Sequence, residues 1–283
     1  MPGHFDVADE GRIRWANVPN STRDNASDPD AKTVNEKQEA LQLRYYLTRS
    51  LGLFTVDPGT KALLRAAAPS DDADELPVQV AALDSLGQLS SAMLTPAADS
   101  TASPAKPWEH EAEVRAALLA ASQRPEVEVR ERAAFHLGQF PDPAVTTRLE
   151  QMTEDAELFT RFHSATSLAL SGYAKALPVL REMLEITPAD LLPREFRLTP
   201  EQVAELSESA KRTYELDLTK QKEMAEQKRL LAIRNTLDSL VKLHEKNPEA
   251  DLSTILPAVE RLQADPHKQL SAKAKEVFES LQK

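Results

Sequence analysis

Residues 127–152, VEVRERAAFHLGQFPDPAVTTRLEQM, overlie residues 158–183, LFTRFHSATSLALSGYAKALPVLREM, at a shift of 31. Val127 falls on Leu158, Arg130 on Arg161, Ala134 on Ala165, Leu137 on Leu168, Leu149 on Leu180 and Met152 on Met183. Apolar positions meet apolar positions, and the arginine recurs as well. Each copy reads as a helix bearing small residues (Ala133-Ala134, Ser164-Ala165), then a turn (Phe140-Pro-Asp-Pro143, Gly172-Tyr173), then a second helix ending in Leu or Met. Small residues let two helices approach closely, and the larger ones fill the layer to the next unit. A fainter copy lies upstream, where Leu86-Gly-Gln-Leu89 mirrors Leu137-Gly-Gln-Phe140 and Ala82 stands over Ala133.

Composition agrees with a helical chain. Seven glycines stand in 283 residues, against about twenty at average usage. That depletion disfavours barrels, sandwiches and glycine-rich phosphate loops. Aromatic residues make up 5%, whereas sheets favour aromatic and β-branched side chains. The fold class read from the sequence is therefore all-α.

Around the repeats the chain divides by pattern. Residues 1–33 are polar and rich in turn formers, and are expected to be a disordered or extended tail, within which Arg12-Ile-Arg-Trp15 is either a docking patch or part of an uncommitted tail. Residues 34–94 hold helices, the first with Leu41, Leu43, Tyr46, Leu47 and Leu51 near a helical spacing, the last opened by Pro77 and carrying the degenerate first repeat. Residues 95–107, TPAADSTASPAKP, read as a flexible linker between that block and the repeats at 108–187. In the C-terminal region, 199–283, Thr199-Pro-Glu-Gln202 is a capping box with Pro at the first helical position. A long helical run follows toward Lys246. Its stretch Glu215–Arg229 has few apolar positions, so it is either an exposed, projecting helix or a break between two. Two terminal helices follow Asp251 and Asp265, and Leu256-Pro-Ala-Val259 echoes Leu177-Pro-Val-Leu180.

Charge and cysteine usage limit the function classes. Lys plus Arg number 34 and Asp plus Glu 45, for a net charge of −11. Segments 1–107 and 108–197 each carry 10 basic and 15 acidic residues, and 198–283 carries 14 and 15, so no segment is basic. This disfavours nucleic acid and anionic lipid as partners. The absence of cysteine removes disulfides, thiolate metal sites and cysteine nucleophiles. The start, MPGHFDVADE, has neither a basic cluster nor an apolar run, and no stretch reaches membrane-spanning length, so a cytoplasmic location is expected. A chain trimmed of a signal or anchor would read the same.

Val129-Arg-Glu-Arg-Ala-Ala-Phe-His-Leu-Gly138 and Ala176-Leu-Pro-Val-Leu-Arg-Glu-Met-Leu184 resemble the HEAT-repeat superfamily, in particular its short HEAT-like variant of about thirty residues per repeat. The resemblance implies an α-solenoid of stacked antiparallel helix pairs. HEAT units often carry an Asp six residues before the Arg; Asp155 and Arg161 match, while position 124 is Arg. Enzymes exist within this superfamily. The deoxyhypusine hydroxylases bind iron through His-Glu pairs in the first helix of a repeat, but here those positions are Glu131-Arg132 and Phe162-His163. The pairs His110-Glu111 and His244-Glu245 lie elsewhere. HEAT-like DNA glycosylases need a basic groove, which segment 108–197 does not supply; the bilin lyases are not separable by pattern.

No HExxH, GxSxG, P-loop or GxGxxG occurs. No catalytic residue, cofactor site or metal site is assigned. The expected function is a non-catalytic scaffold or adaptor that binds another protein or peptide, with a HEAT-like enzyme or enzyme accessory subunit as the alternative. The sequence names neither the partner nor an oligomeric state. Arg115, Arg130, Arg132 and Arg161 are the candidate residues. They either line the binding surface or form ion pairs that tie one repeat to the next.

Overall fold

The structure is a computed structural model that describes residues 29–94 and 108–282. Among these residues there are twelve α-helices and no strand. The linker 95–107 and the tail up to residue 28 lie outside the described residues. Residues 29–33, assigned to the tail from the sequence, instead open the first helix, α1 (Pro29–Leu51), where Pro stands at a favoured first helical position.

The described residues form two compact units that divide between Gln139 and Phe140. The first contains α1, α2 (Asp57–Ala66), α3 (Leu76–Leu94), α4 (Glu111–Ala121) and α5 (Val127–Leu137). Helix α3 is its centre and packs against the other four. It enters through a turn in which the Asp72 carboxylate accepts from the Asp74 N–H at 3.1 Å. Ala82, Leu83 and Leu86 are fully buried on α3, and Val129, Ala133, Ala134 and Leu137 on α5. Burying a leucine side chain contributes about 2 kcal/mol, so this layer is a large part of the unit's cohesion, with Leu63, Val114 and Leu118 of the other helices buried beside it.

The second unit contains α6 (Pro143–Met152), α7 (Leu158–Leu170), α8 (Leu177–Glu185), α9 (Pro200–Ala204), α10 (Glu208–Lys246), α11 (Leu256–Leu262) and α12 (Lys268–Leu281). The boundary falls inside the block read from sequence as one domain, 108–187. The reason is local: α5 packs on α3 and α4, whereas α6 packs on α7. Helix α7 ends at Gly172, whose φ of +86° only glycine adopts without strain. Its last carbonyls are closed by α10, through Lys246 Nζ to Leu170 O (2.6 Å) and Asn247 Nδ2 to Gly172 O (3.1 Å).

The two readings left open for Glu215–Arg229 resolve to one continuous helix. Helix α10 has 39 residues, about 58 Å at 1.5 Å per residue. The interruption comes earlier, at Glu205–Ser207, where the Ser207 hydroxyl accepts from the Ala210 N–H. Ile233, Leu237, Leu240 and Leu243 are fully buried, and α10 packs on α7, α8 and α12. Its first half has no buried residue before Ala225 and is braced instead by the segment after α8. There the Tyr214 hydroxyl donates to Phe196 O at 3.2 Å and the two rings stack at 6.0 Å.

Candidate functional site

The two arginines that repeat at a shift of 31 make the same bonds. Arg130 Nη1 donates to Arg124 O (3.0 Å) and Pro125 O (2.7 Å). Arg161 Nη1 donates to Asp155 O (2.9 Å) and Ala156 O (3.0 Å), and its guanidinium also pairs with Glu182 of α8. In each copy the side chain folds back over the turn before its own helix and satisfies carbonyls five and six residues earlier. Arg115 pairs with Glu111 one turn away (3.3 Å), and Arg132 Nε lies 3.7 Å from Asp84 of α3. Each of the four is engaged inside its own unit.

Arg130→Glu with Arg161→Glu is therefore expected to lower stability by about 2–4 kcal/mol, because four charge-assisted bonds to carbonyls, two part-buried and two exposed, are replaced by repulsion. Thermal denaturation followed by circular dichroism measures this. An unchanged midpoint would return these arginines to the role of binding surface.

Arg161 also borders the cleft of about 890 Å³ in the second unit, whose other cations are Arg181, Arg194 and Arg197. Glu157, Glu182, Glu185 and Asp190 line the same cleft, so the charges balance. Hydrogen bonds from Thr187 hold the Asp190 carboxyl below its usual range, and the Arg261 guanidinium does the same for Glu185. Arg197 donates to Leu192 O and Asp190 O, both at 2.7 Å. Within the cleft Arg161 pairs with Glu182 and Arg181 with Glu185. Sequence reading missed Arg194 and Arg197 because the residues after α8 follow no helical period, and Arg181 because nothing in α8 alone shows that it borders this cleft.

In the first unit, His110 is buried at the start of α4 and joins it to α2. Its Nε2 lies 2.6 Å from Asp57 Oδ1 and its Nδ1 3.1 Å from Glu113 Oε2. Asp57, Glu109 and His110 place one potential ligand atom each within 4.8 Å of one another, the grouping among the described residues that could hold a cation. The direct His110–Asp57 bond already satisfies both groups. The hydrogen bond to Glu113, reinforced by Asp57 and opposed by burial, raises the His110 pKa above its ordinary 6.5. Lys61, with His110, holds Asp57 below its ordinary 3.8.

The sign follows by linkage. The contribution of His110 is complete below pH 6.5 and is lost as pH rises through the raised value. The contribution of Asp57 is complete above pH 3.8 and is lost as pH falls through the lowered value. Wild type should thus exceed His110→Gln in melting temperature at about pH 6, and the gap should close toward about pH 9. A gap that widens with pH would reverse the assignment.

The feature that sequence reading misjudged is α1. Leu41, Leu43, Tyr46, Leu47 and Leu51 read as lying near one helical spacing, but of these only Leu41 is buried, together with Thr48. Ser85 of α3 donates to Thr48 O at 3.0 Å and fixes that rotation. Leu43, Tyr46 and Leu47 are left 61%, 48% and 54% exposed, and Leu53, Phe54 and Val56 beyond the helix are 75%, 58% and 51% exposed. The apolar count of α1 was legible; which side of the helix meets α3 was not.

Comparison with known proteins bears on the repeats. Residues 114–195 match the family model of HEAT repeats. The resemblance read from residues 129–138 and 176–184 is thereby shown for that stretch, within a HEAT-like all-α fold. Among solved structures, the chain is similar to the Escherichia coli protein YibA at 12% identity, with 100% of this chain and 98% of that chain covered and a TM-score of 0.40. It is also similar to an engineered protein at 14% identity, with 93% and 97% covered and a TM-score of 0.43. No curated protein matches the sequence. Among the described residues, no helix is long and apolar enough to cross a membrane.

Proposed function

We propose that this chain is a non-catalytic protein–protein interaction scaffold that docks its partner on the exposed face of α1 and the turn after it. The observation that carries this reading is the row Leu43, Tyr46, Leu47, Leu53, Phe54 and Val56, six large apolar side chains about half exposed or more within fourteen residues. Exposed large apolar side chains gathered in so short a stretch mark a candidate interaction site. HEAT repeats commonly serve protein interaction, which agrees with the reading. The four arginines are occupied within the fold, so they position helices and leave contact with the partner to this face.

Leu47→Glu with Phe54→Glu should abolish retention of the native partner in affinity purification. Both side chains are exposed, so the melting temperature should move by about 1 °C or less. Retention of the same partner by the double variant, or unfolding of that variant, would refute this assignment of the docking face.

A further inference from the structure

We infer that Asp57, Glu109 and His110 bind one zinc ion, which ties the start of α2 to the start of α4 within the first unit. Asp57 is the first residue of α2, and Glu109 and His110 immediately precede α4. Together they offer one imidazole nitrogen and two carboxylate oxygens, all within 4.8 Å of one another. His110 Nε2 lies 2.6 Å from Asp57 Oδ1 and 3.8 Å from Glu109 Oε1. Tetrahedral zinc holds nitrogen and oxygen at about 2.0–2.2 Å, which sets its donor atoms about 3.4 Å apart. The two separations at Nε2 fall on either side of that spacing. Glu109, whose side chain is 69% exposed, is the donor with room to move, and its side is the route of entry.

The surroundings of these side chains set them apart from a chance meeting of surface acids. The outward atoms of two ligands are already held. Glu113 Oε2 lies 3.1 Å from His110 Nδ1, and Lys61 Nζ donates to Asp57 Oδ2 at 3.0 Å. A carboxylate on Nδ1 fixes the tautomer whose Nε2 lone pair faces a metal, the usual outer support of a zinc-bound histidine. The ring itself is 7% exposed and meets Trp108 edge to face, so its direction is set by packing. Carboxylates stand at both ring nitrogens, yet a neutral imidazole has one N–H to give. The contact at Nε2 therefore calls for a positive charge, which is a proton or a metal ion. Zinc takes the place of that proton, which leaves for solvent as the ion binds. Among the described residues the Glu109 carboxylate accepts no hydrogen bond, so an oxygen remains for the ion. The imidazole favours zinc over magnesium or calcium, which take all-oxygen sets.

The test is titration of the full chain, first stripped with chelator, with zinc chloride and separately with magnesium chloride in a calorimeter. One zinc per chain should bind, at least about 100-fold more tightly than magnesium. Zinc should also raise the thermal midpoint of the wild type and leave that of His110→Ala where it is. Glu109→Gln is the sharpest variant, because that side chain is exposed. Its midpoint in chelator should stay within about 1 °C of wild type, while its zinc affinity falls about tenfold or more. Glu113→Gln, which touches only the outer nitrogen of His110, should weaken zinc by about tenfold. His267 and Glu226 of the second unit form another histidine–carboxylate pair at 2.8 Å, and His267→Ala should leave zinc binding unchanged. Circular dichroism should show each variant folded. Failure of the wild type to bind zinc, or equal affinity for magnesium, would overturn the site. So would zinc binding that survives both Glu109→Gln and His110→Ala, or that is lost in His267→Ala instead.

Discussion

Gly87→Ala is expected to unfold the first unit or to lower its stability by about 3 kcal/mol or more, the upper range for overpacking a core. In an exposed helix the same change gains up to about 1 kcal/mol, so the sign itself tests the packing. A Cβ on Gly87 would lie 1.9 Å from His136 Nδ1 and 2.1 Å from its Cγ. The ring has little room to retreat. His136 is buried, with Nε2 3.1 Å from Asp84 Oδ1 and Nδ1 3.3 Å from Gln139 Nε2. Burial pushes the Asp84 carboxyl up, but the His136 bond, with Arg132 and Arg49 nearby, holds it below the usual carboxylate range. Displacing the ring would leave that carboxylate without its hydrogen bond. Urea denaturation of Gly87→Ala, His136→Ala and the double variant measures the contact. The double variant should be less destabilised than the sum of the singles by more than about 1 kcal/mol. Strict additivity would mean that α3 and α5 do not meet through this pair.

In the second unit, Arg229→Ala should cost about 3 kcal/mol, the usual penalty when one partner of a buried pair is removed. Arg229 Nη2 lies 2.6 Å from Asp265 Oδ2, and the two side chains are only 15% and 5% exposed. Asp265 also accepts from the His267 N–H at 2.9 Å, so it closes the turn before α12 while anchoring that turn to α10. Burial opposes the charged carboxylate, but the Arg229 bond prevails and holds its pKa below 3.8. That stabilisation is present above pH 3.8 and is lost as pH falls through the lowered value. Replacing the pair by Arg229→Met with Asp265→Leu should recover part of the loss, because no buried charge is then left alone. A cost below about 1 kcal/mol for Arg229→Ala would place this pair among ordinary surface ion pairs.

Much of the architecture follows from residue order alone. Low glycine content and the shift of 31 identify a helical repeat before any contact is known, because helix periodicity and small-residue spacing are local properties. The turns at Phe140–Pro143 and Gly172–Tyr173 and the cap at Thr199 are local too, and the structure has each of them, whereas Asp251 closes a turn with the Ser253 N–H and the helix begins only after Ile255. Tertiary packing decided what depends on neighbours distant in the chain. The Leu-Gly-Gln echo looked like one motif used twice, yet Gly138 ends α5 while Gly87 lies inside α3, where only the approach of His136 explains it. Whether Glu215–Arg229 breaks could not be read from its polarity. A solvated helix and a loop share that composition, and the bracing of Tyr214 on Phe196 lies eighteen residues away in sequence. Likewise the leucines and tyrosines of α1 were plain in the sequence, but their exposure was set by Ser85, thirty-seven residues from Thr48. A helix can turn either side to its neighbour, and only the packed partner settles which apolar residues are buried and which are left exposed.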